Sequence, residues 1–224
     1  MAKTFGVIIP AAGSGTRFGE DKLMFDLCGK PVLWHTLQAF EQAKSVTAIV
    51  VPTRKESICF VKELSAEFSK VVAVVEGGSS RQQSVQRGLL ALPQVDFISI
   101  HDAARPLILP EQIDLIHRSA IKYGSVCAAT PVVDTIQQID GEGYILQTPD
   151  RASLMAAATP QVFAYDLYRK ACLQAESDYT DDAGMVRAAG GKVKAVLFQG
   201  ENFKITTRED ALRAQQVLLN RSEA

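Results

Sequence analysis

A chain of 224 residues is long enough for one well-buried domain and too short for two of ordinary size. With 47% hydrophobic residues, 22% charged residues and a net charge of -1, it has no global attraction for nucleic acid or anionic membrane, so any anion site must be built locally. Four scattered cysteines, Cys28, Cys59, Cys127 and Cys172, form no C-x-x-C pair and fit a reducing cytosol, and the apolar start "FGVIIPAAG" is cut by Pro10, unlike a signal peptide or a membrane span.

The first predicted strand, 5–10, breaks at once into "PAAGSGTRFGEDK", Pro10 to Lys22. Glycines directly after a strand let a phosphate lie against bare backbone, and amides leading into a helix favour an anion. The spacing is not that of a dinucleotide fold, because Gly13 and Gly15 are followed by Gly19, one position late, and the second strand ends "AIVVPTRK" with no carboxylate for a ribose. Nor is there the Gly-Lys pair of a P-loop. Arg17 and Lys22 add two cations to this loop. A tight turn with two solvated surface cations would contain the same residues, and only the loop's place at the rim of a sheet favours the anion site.

Further along, a helix is predicted over 32–43, with Val32, Leu33, Leu37 and Phe40 on one face, and strands over 46–52 and 71–78. The second of these strands runs into "EGGSSRQQSVQRGL". Ser80 and Gln83 fit a capping box, followed by a helix over 80–92 that places Val85, Leu89, Leu90 and Leu92 together. Capping does not account for Gly77 and Gly78 side by side, or for Arg81 and Ser84. The strand over 96–102 ends at "HDAARP", where Asp102 stands three residues before Arg105. Such a carboxylate suits a divalent cation or a hydroxyl, and equally a structural ion pair with Arg105. A helix over 110–121 carries Ile113, Leu115, Ile116 and Ile121, and strands follow at 125–133 and 192–198. Apolar strands alternating with amphipathic helices give the α/β class, a mainly parallel sheet covered on both faces. Ligands of such sheets bind at the carboxyl ends of the strands, where all three loops fall.

The rhythm fails between about 132 and 160. "DTIQQIDGEGYILQTPD" reads as two short strands about a Gly-Glu-Gly turn, a β-arm at about 132–158 inserted in a single domain spanning 1–224. An isolated hairpin is marginal in water, so this arm is expected to pack on a second subunit. Arg151 follows the hairpin in "TPDR", and further on lie Thr159 in "ATPQVF", Thr180 and Asp181 in "DYTDDAG", and Lys204 in "ENFKITT". Each alone passes as surface or cap, "TDDAG" in particular as an N-cap with acidic first-turn residues. His35, His101 and His117 have no partner at metal-ligand spacing, and no nucleophile with its base is apparent. The chemistry suggested is electrostatic.

Taken together and in order, "PAAGSGTRFGEDK", "GGSSRQQSVQRGL", "HDAARP", "DR" with "TPQVF", "TDDAG" and "NFKIT" closely resemble the 2-C-methyl-D-erythritol 4-phosphate cytidylyltransferases of the non-mevalonate isoprenoid pathway. The resemblance spans nearly the whole chain and looks like the monofunctional form. It implies a Rossmann-like nucleotidyltransferase sheet, a cytoplasmic homodimer built through the β-arm, and CMP transfer from CTP to the sugar phosphate with release of pyrophosphate. Mg²⁺, or another divalent cation, would be held mainly by the CTP phosphates. Residue by residue, it implies that Arg17 and Lys22 bind the triphosphate, and that Arg151, carried into the neighbouring subunit's site, joins Lys204 on the sugar phosphate. Ala11, Ala12, Gly13, Gly15, Gly78, Ser79 and Ser84 would hold the nucleotide, and Asp102, Arg105, Thr159 and Thr180 the acceptor. Three positions depart from the family's usual pattern: Asp21 and Leu23 flank Lys22, and Ser79 replaces a frequent acidic residue. A cytidylyltransferase for another polyol phosphate, such as ribitol 5-phosphate, shares the CTP half of these features. A non-catalytic nucleotide sensor would share the fold.

Overall fold

The structure, a computed structural model, describes residues 2–13, 18–19 and 21–222. Its first half runs β1 (Phe5–Ile8), β2 (Asp26–Leu27), β3 (Lys30–Pro31), α1 (Val32–Gln42), β4 (Val46–Thr53), α2 (Ile58–Ser65), β5 (Val71–Glu76), α3 (Arg81–Ala91) and β6 (Phe97–Ile100). The second half runs α4 (Pro110–Tyr123), β7 (Ser125–Pro131), β8 (Gln138–Ile139), β9 (Ile145–Gln147), β10 (Met155–Ala164), α5 (Tyr165–Gln174), α6 (Asp182–Ala188), β11 (Lys194–Leu197) and α7 (Arg208–Ser222).

All six predicted apolar runs become strands of one seven-stranded sheet ordered β11-β7-β10-β6-β1-β4-β5. Neighbours pair in parallel except at β10, which is antiparallel to both β6 and β7. Pleating sends alternate residues to opposite faces. Val7 of β1 packs with Leu33, Leu37 and Phe40 of α1, while its neighbour Ile8 packs with Val85 and Leu89 of α3. The sheet is thus covered on both sides, which is the α/β arrangement expected. Among the described residues no helix is long and apolar enough to cross a membrane.

Three expectations need correction. The strand β10 was hidden by Pro160, since proline cannot donate to a ladder and demotes a run from central strand. In the structure Pro160 sits where the pairing with β7 slips between Ala157 and Gln161, so the missing N–H falls in an irregularity of the ladder. The helix faces also differ in detail. Leu90 is 88% exposed and Ile121 50%; Leu115 is likewise exposed, and the stripe of α4 that packs is Ile113, Ile116, His117 and Ala120. Finally, Met155 to Ala158 already lie in β10 rather than in an inserted arm.

Between β7 and β10 the chain leaves the sheet. β8 and β9 pair with each other about a turn in which Asp140 N–H donates to the Tyr144 carbonyl at 3.0 Å. Gly143 has φ of +90°, a conformation that favours glycine there. Val133, Ile139, Tyr144, Ile145 and Leu146 are 57% exposed or more.

From β1 the sheet continues to β4 on one side and to β6 on the other, so the strand order reverses there. A crevice forms at the carboxyl ends beside such a reversal. Into it come the segments after β1 (Pro10–Gly13), after β5 (Gly77–Ser80) and after β6 (His101–Arg105).

Candidate active site

The walls of the crevice are shaped by close backbone packing. A Cβ on Gly77 would lie 2.6 Å from the Ala12 Cβ, and one on Gly78 would lie 2.3 Å from the Gln83 Cβ, so both positions are closed to larger residues. Ser80 caps α3 by accepting from Gln83 N at 3.2 Å. The second half of the predicted capping box lands one residue earlier, because the Gln83 carboxamide oxygen accepts from Ser79 N and Ser79 Oγ. Ser84, 1% exposed, accepts from Gly78 N at 3.0 Å and donates to the Ser80 carbonyl, which fixes the turn to the helix.

Two adjoining clefts result. The first, about 360 Å³, is lined on one side by Ala12, Gly13, Gly78, Ser79 and Ser84 and on the other by Lys22, Arg81, Asp102 and Lys204. The second, about 210 Å³, shares Arg81, Asp102 and Lys204 and adds Arg105, Thr159 and Thr180. Of the residues singled out from sequence, these are brought together. Ala11 lies just behind, buried, in a bridge to Thr53. Arg151 stands apart: it is exposed near the hairpin and donates to the Val133 carbonyl at 2.7 Å. Gly15 and Arg17 lie outside the described residues.

Asp102 is the electrostatic centre. Its carboxylate meets Arg81 Nε at 3.1 Å, Lys204 Nζ at 3.1 Å and Arg105 Nε at 3.4 Å. Burial disfavours its charged form, but Arg81, Lys204 and Arg105 outweigh that and hold it well below the usual carboxylate range. The ion pair with Arg105 expected from sequence therefore exists, within a larger cluster. Lys22 reaches the same rim, its Nζ donating to the Ile205 carbonyl at 3.1 Å, one residue beyond Lys204.

Sequence reasoning left Arg81 without a role and passed over Asp182, Gln161 and Asn202, which build this cluster with it. Arg81 bridges Asp102 to the buried Asp182, whose carboxylate lies 2.7 Å from Arg81 Nη1 and accepts from the Tyr168 hydroxyl at 2.6 Å. The two carboxylates raise the Arg81 pKa against the effect of burial. Gln161 ties β10 to α6, donating to Asp181 and accepting from Ala183 N. Asp181 rather than Thr180 is the N-cap of α6, accepting from Gly184 N at 2.8 Å. Asn202 donates to the Thr159 carbonyl, and its own carbonyl accepts from Arg105, which pins the segment carrying Lys204. The adjacency of Arg81 to the second glycine turn was the one available signal; the rest needed the fold.

His101 takes no part in the cleft lining, yet it completes the frame. Fully buried, it donates from Nε2 to the Arg105 carbonyl and accepts at Nδ1 from Thr159 Oγ, which in turn accepts from Asp102 N. The neutral ring satisfies that chain, and burial lowers the His101 pKa to about 4. His117, stacked on Phe5 and bonded to Ser45 and Ser99, is lowered to about 3 by burial. Both pKa values lie below the unfolded value of 6.5, so the unfolded chain binds protons first as pH falls. Stability from these rings is complete above about pH 6.5 and declines towards pH 4, by about 1.4 kcal/mol per pH unit for each histidine. Urea midpoints at pH 7, 6 and 5 would show this slope; a flat profile would mean that the imidazoles titrate normally.

The comparisons with known proteins agree with this geometry. A family profile described as 2-C-methyl-D-erythritol 4-phosphate cytidylyltransferase matches residues 5–220. The protein of that name from Desulforamulus reducens is 42% identical over 224 residues, covering 96% of this chain and 96% of its own length. That from Prochlorococcus marinus is 40% identical, covering 96% of this chain and 99% of its own. The crystal structure of 4-diphosphocytidyl-2C-methyl-D-erythritol synthase from Anaerococcus prevotii superposes with a TM-score of 0.87 at 31% identity, covering 98% of this chain and 100% of that one. With a family profile matched over nearly its whole length and relatives about 40% identical, the chain belongs to the 2-C-methyl-D-erythritol 4-phosphate cytidylyltransferase family.

Proposed function

We propose that this enzyme transfers CMP from CTP to 2-C-methyl-D-erythritol 4-phosphate, giving 4-diphosphocytidyl-2-C-methyl-D-erythritol and pyrophosphate. Family membership supports the overall reaction, and one observation supports its assignment to this crevice: Lys22 and Lys204 both line the cleft walled by glycine-rich backbone, and Lys204 also lines the cleft joined to it. An acceptor phosphate oxygen attacks the α-phosphorus of CTP, the bond to the bridging oxygen breaks, and pyrophosphate carries away the electron pair. Such a displacement needs in-line positioning and cations for the developing charge rather than a covalent nucleophile.

In this reading the backbone at Ala11, Ala12, Gly13, Gly15, Gly78 and Ser79, with Ser84, holds the nucleotide. Arg17 and Lys22 face the triphosphate. Lys204 sits at the junction of the clefts, with Asp102, Arg105, Thr159 and Thr180 on the acceptor side. When the acceptor phosphate draws Lys204 away, Asp102 keeps Arg81 and Arg105 as partners, so no buried carboxylate is stranded. Mg²⁺ or another divalent cation would arrive on the phosphates of CTP. The donor set fits that arrangement, because Asp102 is already held by three cations and phosphate oxygens would be the ion's chief ligands. Such an ion would neutralise charge on the leaving pyrophosphate.

Arg151 cannot serve the cleft from where it is held beside Val133. With the hairpin's apolar side chains exposed, the reading is a cytoplasmic homodimer in which the arm between β7 and β10, an insertion in a single domain, brings Arg151 to the partner's acceptor side. Arg151→Ala should then raise KM for the sugar phosphate much more than KM for CTP. Equal effects on both in steady-state kinetics would remove Arg151 from the acceptor site.

A further inference from the structure

We propose that Arg54 is a positioning residue for Lys22: by pairing with Asp21, it fixes the backbone that carries Lys22 and keeps the Asp21 carboxylate from competing with a phosphate for that cation. The inference rests on the reading of Lys22 as a triphosphate ligand.

Arg54 follows β4 directly and stands on rigid ground. Thr53 before it bridges to Ala11, and the Thr53 carbonyl accepts from Gly77 N at 2.7 Å. Arg54 Nη2 forms an ion pair with Asp21 Oδ2, and the two side chains are only 29% and 25% exposed. The other carboxylate oxygen of Asp21 accepts from Leu23 N at 3.1 Å, and its backbone carbonyl accepts from Met24 N at 3.0 Å. Leu23 is buried and its carbonyl accepts from Leu33 N at the start of α1. Lys22 is thus strung between two anchored residues, and its side chain is aimed at the segment that holds Lys204. Arg54 itself does not line the cleft, so it acts through Asp21.

Removing Arg54 would leave a carboxylate next in sequence to Lys22, in a site where reduced solvent screening strengthens that attraction. The harm would come from the uncompensated charge of Asp21. An asparagine at position 21 would remove that charge and still accept from Leu23 N.

The test compares wild type, Arg54→Ala, Asp21→Asn and the double variant by steady-state kinetics, by calorimetric CTP binding and by thermal midpoint. Arg54→Ala should lower kcat/KM for CTP by about tenfold or more, a size seen for coupled neighbours. KM for the acceptor should change little. Adding Asp21→Asn should restore most of the loss, and Arg54→Lys should retain most of the activity. A double variant as impaired as Arg54→Ala, or an Arg54→Ala enzyme at wild-type kcat/KM, would overturn the proposal. So would a rescue that only follows recovery of the thermal midpoint. If the wild type bound CTP without transferring CMP, the functional reading would fall, and the CTP affinities of the four proteins would still decide the role of Arg54.

Discussion

Lys22→Ala should lower kcat by on the order of 10²–10³, the range for losing one preorganised electrostatic donor. In the proposed reading this cation meets the triphosphate; it is anchored on one side by the ion pair of Asp21 and on the other by its own bond to the Ile205 carbonyl. Charge on the leaving pyrophosphate builds up as the bond breaks, so an ammonium held there contributes more in the transition state than in the bound substrate. Steady-state kinetics separate the two cases. If kcat held and only KM for CTP rose, Lys22 would bind substrate and transition state alike. Asp21, which flanks this cation in sequence, pairs with Arg54.

Arg81→Ala should destabilise the fold by about 3 kcal/mol, near the lower end for breaking a buried pair because the arginine side chain is itself partly exposed. What matters is the partner left behind: Asp182 has a side chain 2% exposed and would keep only the Tyr168 hydroxyl and its local contacts. For a chain of this length the loss corresponds to roughly 6–12 °C in thermal midpoint. Arg81→Lys should recover only part of it, since one ammonium cannot span from Asp102 to Asp182 as the guanidinium fork does. An unchanged midpoint in Arg81→Ala would show that water screens Asp182 once the arginine is gone.

Much of the fold was legible because its strands are continuous apolar runs and α1 carries a plain helical stripe. What was not legible has local causes. β10 contains a proline and pairs antiparallel across a sheet whose other neighbours are parallel, so neither its composition nor the alternation of strand and helix announced it. Leu90, Leu115 and Ile121 counted as core because leucine and isoleucine are apolar; the buried stripe of α4 instead includes His117, whose two ring nitrogens are satisfied by serines 54 residues apart in sequence, Ser45 and Ser99.

The candidate site divides in the same way. Glycines, Lys22, Asp102 and Lys204 could be chosen because motif and residue type coincide. Arg81 stood out only as a residue that capping does not explain, and Asp182 resembled an ordinary acidic residue near an N-cap. Their pairing joins positions 101 residues apart, which no local pattern encodes. The same holds for Asn202, which looked like loop and in fact ties Thr159 to the segment of Lys204.

The central claim is that this crevice couples CTP to methylerythritol phosphate, and pyrophosphate release tests it most directly. The purified protein should be assayed with CTP, ATP, GTP and UTP, each paired with 2-C-methyl-D-erythritol 4-phosphate or with ribitol 5-phosphate, in the presence of Mg²⁺. Release should be greatest by far with CTP and methylerythritol phosphate, and the product should be 4-diphosphocytidyl-2-C-methyl-D-erythritol. Preferred release with ribitol 5-phosphate would contradict the acceptor assignment, and no release with any pair would contradict the reading of the crevice as a catalytic site.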